Sequence, residues 1–368
     1  MNKVIIIGGG AAGLFAAICI KKELKEQIEV TILERQNRVG KKLLSTGNGK
    51  CNLSNIYLNL DCYNTEYINN AINEFDANKC IHYFYELGLM LRIDESGRIY
   101  PYGEKANMVV DLLMRHVERL GIKVITGFNV SHIKKPNQFI VYSTDYRLLI
   151  SDYVIVATGG MSSIPFKNET YKLLTYFGHT MTPLSPALVA LKTLEDTKTI
   201  AGIRIKGQAK IEVDNVVLAS EVGEILFKNE GLSGICIFEL SRHYKPNAKI
   251  KIDLAYDKSE SEIEKFLNHS SNVQEALLGM FPKMIVNDLL QRKGNVIKNI
   301  KNYEFTVIDT YGYDTAQITK GGISIKEFIP DSYESIYVKG LYAVGELLDV
   351  DGKTGGYNLH FAWSSAYL

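Results

Sequence analysis

Residues 3–13 read KVIIIGGGAAG, a β-branched run that ends in the pattern G-x-G-x-x-G, and this stretch decides the fold. The run predicts a buried strand, and the residues after it predict a helix. Gly8 allows a tight turn, Gly10 lets the backbone approach a pyrophosphate, and Gly13 lets the helix pack closely on the strand. Free N–H groups at a helix N-terminus favour phosphate. The stretch therefore predicts a dinucleotide-binding βαβ unit.

The acidic residue that binds the ribose in such a unit is found at the expected position in the sequence. Residues 28–33 (IEVTIL) predict the second strand, and Glu34 follows it directly. A carboxylate at this strand end accepts hydrogen bonds from a ribose hydroxyl. The alternative is a glycine turn that merely packs beside a solvated acid, but strand, turn, helix, strand and acid agree in register. The pattern by itself leaves NAD and FAD open.

Two later segments favour FAD. A buried-type strand at residues 151–157 runs into Thr158-Gly159-Gly160. A late strand at residues 336–344 precedes Gly345-Glu346, a glycine-rich turn and a final helix from about residue 359. Two-dinucleotide-binding flavoproteins hold the adenine half near the N-terminus and the flavin ring with a C-terminal segment, which an NAD dehydrogenase would not need.

Composition narrows the functional classes. The 368 residues carry a formal net charge of +1, which argues against a protein built mainly to grip nucleic acid or an anionic membrane. The five cysteines form no C-x-x-C pair, so we expect a reducing compartment, no disulfide framework and no metal site. No stretch has the length of a membrane span, so we expect a cytoplasmic location and no membrane partner.

Several motifs closely resemble the bacterial BaiN-type, or aminoacetone-oxidase-like, flavoprotein family. The two long ones are GNGKCN at residues 47–52, after Gly40-Lys41-Lys42, and DVDGKTGGYN at residues 349–358. Shorter ones are GRIYP at 97–101, GEILF at 223–227, GLSG at 231–234 and TKGGI at 319–323. The resemblance covers essentially the whole chain. One departure is that the sequence stops at Leu368, where family members usually run a few residues further.

The resemblance implies an FAD-binding domain interrupted by a β-barrel-like piece, itself interrupted by a helical piece. The residue pattern supports this α/β layout, because residues 185–255 show short alternating segments and residues 258–300 read as helices. We expect a discontinuous two-dinucleotide-binding (Rossmann-like) FAD domain, an inserted antiparallel β-barrel-like domain and a helical subdomain. Their expected bounds are 1–183 with 331–368, 184–257 with 301–330, and 258–300.

The cofactor site is expected to combine the glycine turn and its acid, a cationic loop that returns over the pyrophosphate and flavin, the strand end near residue 158 and the C-terminal segment. Gly355 and Gly356 would offer backbone N–H groups to the flavin pyrimidine edge, and Glu346 would either face the ribityl region or be structural. Val130 offers its backbone to the adenine, as the resemblance suggests. The expected FAD-binding residues are Gly8, Gly10, Ala11, Ala12, Gly13, Glu34, Arg35, Lys41, Lys42, Thr46, Gly47, Asn48, Asn52, Val130, Ala157, Thr158, Gly159, Gly345, Glu346, Gly355, Gly356, Tyr357 and Asn358.

No catalytic residue is assigned from the sequence. Candidates for substrate contact are Arg98, Tyr100, Tyr357 and His360, each weighed against a packing role. Arg98 suits a carboxylate because its guanidinium binds such groups bidentately. Cys51 lies in the loop expected beside the flavin, so we consider a redox role for it. Flavin-type disulfide reductases use a second nearby cysteine, whereas Cys62 is ten residues away, so we favour a packing or loop role for Cys51.

We therefore expect an FAD-dependent oxidoreductase that transfers a hydride between flavin N5 and a small organic substrate, with NAD(P)H or oxygen as second redox partner. The sequence has no second G-x-G-x-x-G in a strand-and-acid context, so a nicotinamide would dock transiently. Members of the resembled family are described either as oxidising small amines with oxygen or as reducing unsaturated steroid-like substrates with NAD(P)H. The alternatives are a flavin-dependent RNA-modifying protein, although nucleic acid is not expected as a partner, a non-catalytic redox-sensing flavoprotein, and an NAD-only dehydrogenase.

Overall fold

The computed structural model describes residues 1–162 and 169–368 of the chain. They form two compact units, the first of Met1–Ser185 with Ile318–Leu368 and the second of Pro186–Gln317. The chain returns to the first unit at Ile318, which is earlier than residue 331 expected from the sequence.

The bounds of the regular elements follow in chain order. The strands are β1 Asn2–Ile7, β2 Ile28–Glu34, β3 Ser54–Asn55, β4 Leu91–Ile93, β5 Arg98–Pro101, β6 Lys123–Thr126, β7 Val130–Lys134, β8 Phe139–Ser143, β9 Leu148–Ser151, β10 Tyr153–Val156, β11 Ser185–Ala187, β12 Leu191–Thr193, β13 Arg204–Val213, β14 Val216–Lys228, β15 Gly231–Ser233, β16 Lys249–Asp253, β17 Tyr303–Thr310, β18 Ile318–Lys320 and β19 Leu341–Ala343. The α-helices are α1 Ala11–Leu24, α2 Lys41–Ser45, α3 Asn69–Glu74, α4 Ala77–Glu86, α5 Ala106–Arg119, α6 Lys172–Thr175, α7 Ile235–Ser241, α8 Glu260–Asn268, α9 Val273–Leu278, α10 Lys283–Gln291, α11 Val296–Lys301 and α12 Tyr357–Tyr367.

A parallel sheet organises the first unit, in the order β19-β10-β1-β2-β6. Its central strands are buried on both faces, as their continuous β-branched runs predict. Ile7 at the end of β1 pairs with Val156 of β10 and Leu33 of β2. The carboxyl ends of these strands therefore meet at one edge, where the glycine turn begins, and ligands of open α/β sheets bind at such an edge.

Within the glycine turn, Gly13 packs directly against Gly8. A Cβ on Gly13 would lie 2.0 Å from the Gly8 carbonyl oxygen, so only glycine fits here. Helix α1 packs against helix α12, and the centres of the Phe15 and Trp363 rings lie 5.3 Å apart. The two ends of the chain thus share one core.

This crowding gives a stability prediction for Gly13→Ala. An alanine in a helix ordinarily stabilises it by about 1 kcal/mol relative to glycine, but a methyl group forced against the Gly8 carbonyl should cost more than that. We expect a net loss of roughly 2 kcal/mol, measured by thermal unfolding of the FAD-free protein. The reference is Ala17→Gly in the same helix, where lost helix propensity and a lost buried methyl group together cost about 2 kcal/mol; a Gly13→Ala protein at least as stable as the wild type would contradict the packing argument.

The second unit contains a closed antiparallel barrel, in the order β12-β15-β14-β13-β16-β17. The core of this unit is mostly aliphatic and includes Phe227, Tyr303 and Phe305, whose rings contact one another. Helices α8 to α11 lie within the same unit and share its core. The expected Rossmann-type sheet, barrel and helices are confirmed.

Two elements differ from expectation. The strand predicted at residues 336–344 is confined to Leu341–Ala343, because Gly340 adopts a φ of +82° and the side chains of Ile336 and Tyr337 are exposed. Helix α7 lies in a region expected to be purely β. Its β-branched sequence resembles a strand, but Gly234 turns the chain with a φ of +97°, and the helix then buries Cys236, Ile237 and Leu240.

Candidate functional site

The glycine turn leaves space where a phosphate is expected. A Cβ on Gly8 would lie 2.4 Å from the Ala157 carbonyl oxygen, so the first glycine is required by packing. A Cβ on Gly10 would have no atom of the described residues within 4 Å. Gly10 is also the N-cap of α1, followed by Ala11 and Ala12. The turn therefore presents a helix N-terminus beside an open space that a side chain would occupy.

Glu34 is fixed against this turn. Its Oε2 accepts the Gly9 N–H at 2.9 Å and its Oε1 accepts the Gln36 N–H at 2.8 Å. The side chain is 9% exposed, and each oxygen keeps a further lone pair for a ribose hydroxyl. The neighbouring Arg35 is half-buried, which lowers the pKa of its guanidinium. Val130 begins β7, two residues after Phe128, whose N–H donates to the Glu34 carbonyl.

The loop of residues 40–52 folds back over the turn. The Gly40 N–H donates to the Gly9 carbonyl at 2.8 Å. Helix α2, with Lys41 and Lys42, follows, and Thr46 Oγ1 donates to the Leu43 carbonyl at 2.6 Å. Gly47 and Asn48 then adopt left-handed backbone angles, with φ values of 56° and 54°. An asparagine tolerates this conformation better than most residues, which explains why the motif reads Gly-Asn-Gly.

The side chains of Lys42 and Glu346 form an ion pair. The Lys42 ammonium forms an ion pair with Glu346 Oε2 and lies 3.3 Å from Ser162 Oγ. Glu346 Oε1 accepts hydrogen bonds from the Thr319 N–H and the Ser162 hydroxyl at 2.9 and 3.1 Å. The two charges are therefore paired within the protein, and the contact of Lys42 and Glu346 with the cofactor stays a prediction. Glu346 lies three residues after β19, and the preceding Gly345 donates its N–H to Ser365 Oγ.

The C-terminal segment is a glycine turn that opens α12. Gly355 and Gly356 have φ values of +122° and +105°, which favour glycine. A Cβ on Gly356 would lie 2.6 Å from the Ser54 carbonyl oxygen and 2.8 Å from Asn52 Oδ1. The segment therefore lies directly against the end of the 40–52 loop.

Asn358 braces this segment. Its Oδ1 accepts the Gly352 N–H at 2.8 Å, and its Nδ2 donates to the carbonyls of Gly352 and Lys353 at 2.9 and 3.3 Å. The side-chain amide therefore holds the loop that precedes α12, and the contact of Asn358 with FAD stays a prediction.

Strand β5 borders the same place. Arg98 and Tyr100 lie on one face of β5, while Ile99 between them is fully buried on the other. Asn55, paired with Arg98 in the sheet, donates its Nδ2 to the Gly355 carbonyl at 3.1 Å. A Cβ on Gly47 would lie 3.8 Å from the ring of Tyr100. Three segments far apart in sequence thus converge at one end of the site.

Asn52 Oδ1 and Thr158 Oγ1 are among the buried polar atoms that have no hydrogen-bond partner within the described ranges. Such atoms are rare in native proteins and suit a bound polar ligand. Thr158 adjoins Gly8, and the following Gly159 has a φ of +69° with no described atom within 4 Å of its Cβ position. The residues present therefore fit FAD, and we still expect Gly10 to hold its pyrophosphate, Glu34 its ribose and the Gly355-Gly356 turn its flavin.

His360 lies inside the protein. It is fully buried; its Nε2–H donates to the Phe75 carbonyl at 2.7 Å, and Ser54 donates its hydroxyl to Nδ1 at 2.8 Å. Tyr357 is also buried, with its ring 6.1 Å from that of Tyr63 and its carbonyl bonded to the Tyr63 hydroxyl. Both ring nitrogens of His360 are bonded within the protein, which favours a packing role for it, and the substrate contact of Tyr357 stays a prediction.

The burial of His360 predicts acid sensitivity. Burial lowers the pKa of His360 from 6.5 to about 4, so the folded protein keeps the ring neutral where the unfolded chain takes up a proton. Stability is therefore lost as the pH falls from 6.5 toward 4, by about 2 kcal/mol between pH 7 and pH 5. Urea unfolding at both pH values measures the loss. His360→Gln should reduce this pH dependence, and His82→Gln, at an exposed histidine, should not; equal slopes in all three proteins would refute the assignment.

Cys51 is not placed for redox chemistry. It is fully buried, and burial raises the pKa of its thiol to about 12. The thiolate needed for exchange is therefore absent at neutral pH. Within residues 1–162 and 169–368, no three His, Cys, Asp or Glu side chains are grouped to hold a metal ion, and no helix is long and apolar enough to cross a membrane.

Some site residues were missed from the sequence. Asn55 and Ser162 have no motif signal of their own. Thr319 opens the TKGGI motif, which the resemblance identified without giving it a role. Its Oγ1 accepts the N–H groups of Met161 and Ser162 at 2.7 and 3.1 Å, and it thereby ties β18 to the strand end near residue 158.

Comparison with known proteins agrees with this geometry. The family described as HI0933-like protein Rossmann domain matches residues 2–368. A 3-dehydro-bile acid delta(4,6)-reductase of Clostridium scindens is 34% identical over 100% of this chain and 98% of the relative. Ribosomal RNA dihydrouridine synthases of Haemophilus influenzae and Escherichia coli are 30% and 27% identical, each over 99% of this chain and 96% of the relative. The chain therefore belongs to the HI0933-like Rossmann-domain family and is an FAD-dependent oxidoreductase.

Proposed function

We propose that the protein is a reductase that saturates a carbon–carbon double bond conjugated to a carbonyl group, with NAD(P)H as the reductant. The observation that carries this proposal is the convergence of the 40–52 loop, the Gly355-Gly356 turn and the Arg98–Tyr100 face of β5 at one end of the site. FAD, when bound, supplies two-electron hydride chemistry at this end.

The names of the relatives support the direction of the reaction. A bile-acid delta(4,6)-reductase and a dihydrouridine synthase both add two hydrogens across a double bond that lies next to a carbonyl. The balanced reaction consumes NAD(P)H and one proton and yields NAD(P)⁺ and the saturated product. The carbon distal to the carbonyl receives a hydride, and the adjacent carbon receives a proton.

The residues of β5 fit the two remaining tasks. Arg98 is half-buried and presents donors that bind a carbonyl or carboxylate oxygen of the substrate. Tyr100, two residues along the same face, carries a hydroxyl that donates the proton to the adjacent carbon. A small organic substrate is our first candidate, in keeping with the neutral net charge.

RNA is the second candidate substrate. The full-length similarity to two ribosomal RNA dihydrouridine synthases favours it, and both substrate classes require the same addition across a conjugated bond.

Anaerobic stopped-flow measurements test the proposal. NADPH, NADH and a panel of small amines are mixed with the FAD-loaded protein, and flavin bleaching is followed. We expect bleaching by a nicotinamide and not by amines; the reverse result would mark an amine oxidase and overturn the proposal. The reduced protein is then mixed with unsaturated steroid ketones or with unmodified ribosomal RNA, and whichever restores flavin absorbance identifies the substrate class.

A further inference from the structure

An open groove of about 420 Å³ lies on the first unit, beside the 40–52 loop. This volume lies within the range of small-molecule sites. Residues that line the groove include Asn48, Lys50, Arg92, Tyr102, Glu104 and Lys105. Of these, only Asn48 is among the residues expected to bind FAD, so the groove is a separate feature.

The groove is cationic. Glu104 forms ion pairs with both Lys50, at 2.6 Å, and Arg92, at 3.3 Å, so two cations share one carboxylate. Lys105 adds a third cation and is exposed. The cationic side chains exceed the carboxylate, and the groove is therefore attractive to phosphate.

The groove also offers flat surfaces to a base. The Arg92 guanidinium lies 4.8 Å from the centre of the Tyr102 ring, and Tyr102 is 54% exposed. A guanidinium plane and an aromatic ring are the surfaces on which proteins stack nucleobases. Phosphate-binding cations beside such surfaces are the chemistry that recognises a phosphorylated nucleotide.

The loop connects this groove to the flavin end of the site. Lys50 in the groove is two residues from Asn52, and Asn52 Oδ1 lies beside the Gly356 turn. Two residues span at most about 7 Å, which an extended dinucleotide exceeds. A dinucleotide whose adenosine end lies in the groove is therefore long enough to bring its other end to the flavin.

We propose that this groove binds the adenosine-phosphate end of NAD(P)H, and that it favours NADPH because the 2′-phosphate adds negative charge. The inference rests on the proposed function, in which NAD(P)H is the reductant. It gives this chain a docking site for the nicotinamide dinucleotide in place of a second glycine-rich fold.

Reduction by two donors tests the groove. NADPH carries the adenosine and phosphates, whereas 1-benzyl-1,4-dihydronicotinamide carries neither. In an R92A/K105A double variant, the NADPH concentration that gives half the maximal bleaching rate should rise about fivefold or more, because the variant removes two of the three cations that line the groove. The maximal rate and the reaction with the benzyl compound should stay unchanged. Glu104→Gln, which removes the competing carboxylate, should lower the NADPH concentration severalfold.

The outcomes separate this inference from the proposed function. Normal FAD content and reduction by dithionite show that a variant is folded. Unchanged NADPH dependence in both variants, with the benzyl compound still active, would overturn the groove and leave the reductase proposal intact. Failure of both dihydronicotinamides on the wild-type protein would overturn both. Loss of single-stranded RNA binding in R92A/K105A, with the NADPH dependence unchanged, would reassign the groove to RNA and overturn the NADPH site.

Discussion

Tyr100→Phe should leave reduction of the bound flavin by NAD(P)H unchanged and slow its reoxidation by the unsaturated substrate by about 10²- to 10⁴-fold, the usual contribution of a positioned general acid. Tyr100 lies on the face of β5 shared with Arg98, close to Gly47 of the loop over the flavin end. Removing the hydroxyl keeps the ring and its packing. Only the step that needs a proton on carbon is then affected.

The test is specific because the two half-reactions are measured separately. Stopped-flow bleaching by NAD(P)H measures the first, and return of flavin absorbance with substrate measures the second. Tyr57→Phe is the matched control, because it removes a phenol that is 61% exposed and follows β3 of the same small sheet. Equal reoxidation rates in Tyr100→Phe and wild type would show that another group donates the proton.

The sequence predicts those parts of this site that depend on local patterns. The run at residues 3–7, the turn at Gly8 and the acid at Glu34 form one unit whose spacing is set by strand and helix geometry, so each is found where expected. The extended piece at residues 98–101 is likewise β5. A local pattern is sufficient here because the partners are near in sequence or share a common edge.

Long-range partners decide the rest. Lys42 and Glu346 are 304 residues apart in the sequence, and only the fold shows that their side chains form an ion pair. His360 is a candidate for substrate contact in the sequence, but in the fold its two ring nitrogens are bonded to the Phe75 carbonyl and the Ser54 hydroxyl. In each case the side chain is satisfied by a partner that no spacing rule reveals.

The distinction between packing and binding glycines gives the last prediction. In Gly10→Val the affinity for FAD should fall about ten- to a hundredfold, while the apoprotein keeps nearly all its stability. The backbone at Gly10 is extended, with φ −86° and ψ −165°, which valine adopts freely. Since no described atom lies within 4 Å of the Cβ position, the added side chain meets the dinucleotide rather than the protein.

FAD fluorescence titration and apoprotein unfolding measure the two quantities separately. Gly223→Ala is the control, because its new Cβ makes an ordinary 3.5 Å contact with Cys236 in the second unit and should leave FAD affinity unchanged. Gly13→Ala should show the opposite pattern to Gly10→Val, with unfolding affected in the absence of any ligand. If Gly10→Val binds FAD as tightly as wild type, the pyrophosphate does not lie at this turn, and the open space beside Gly10 requires another occupant.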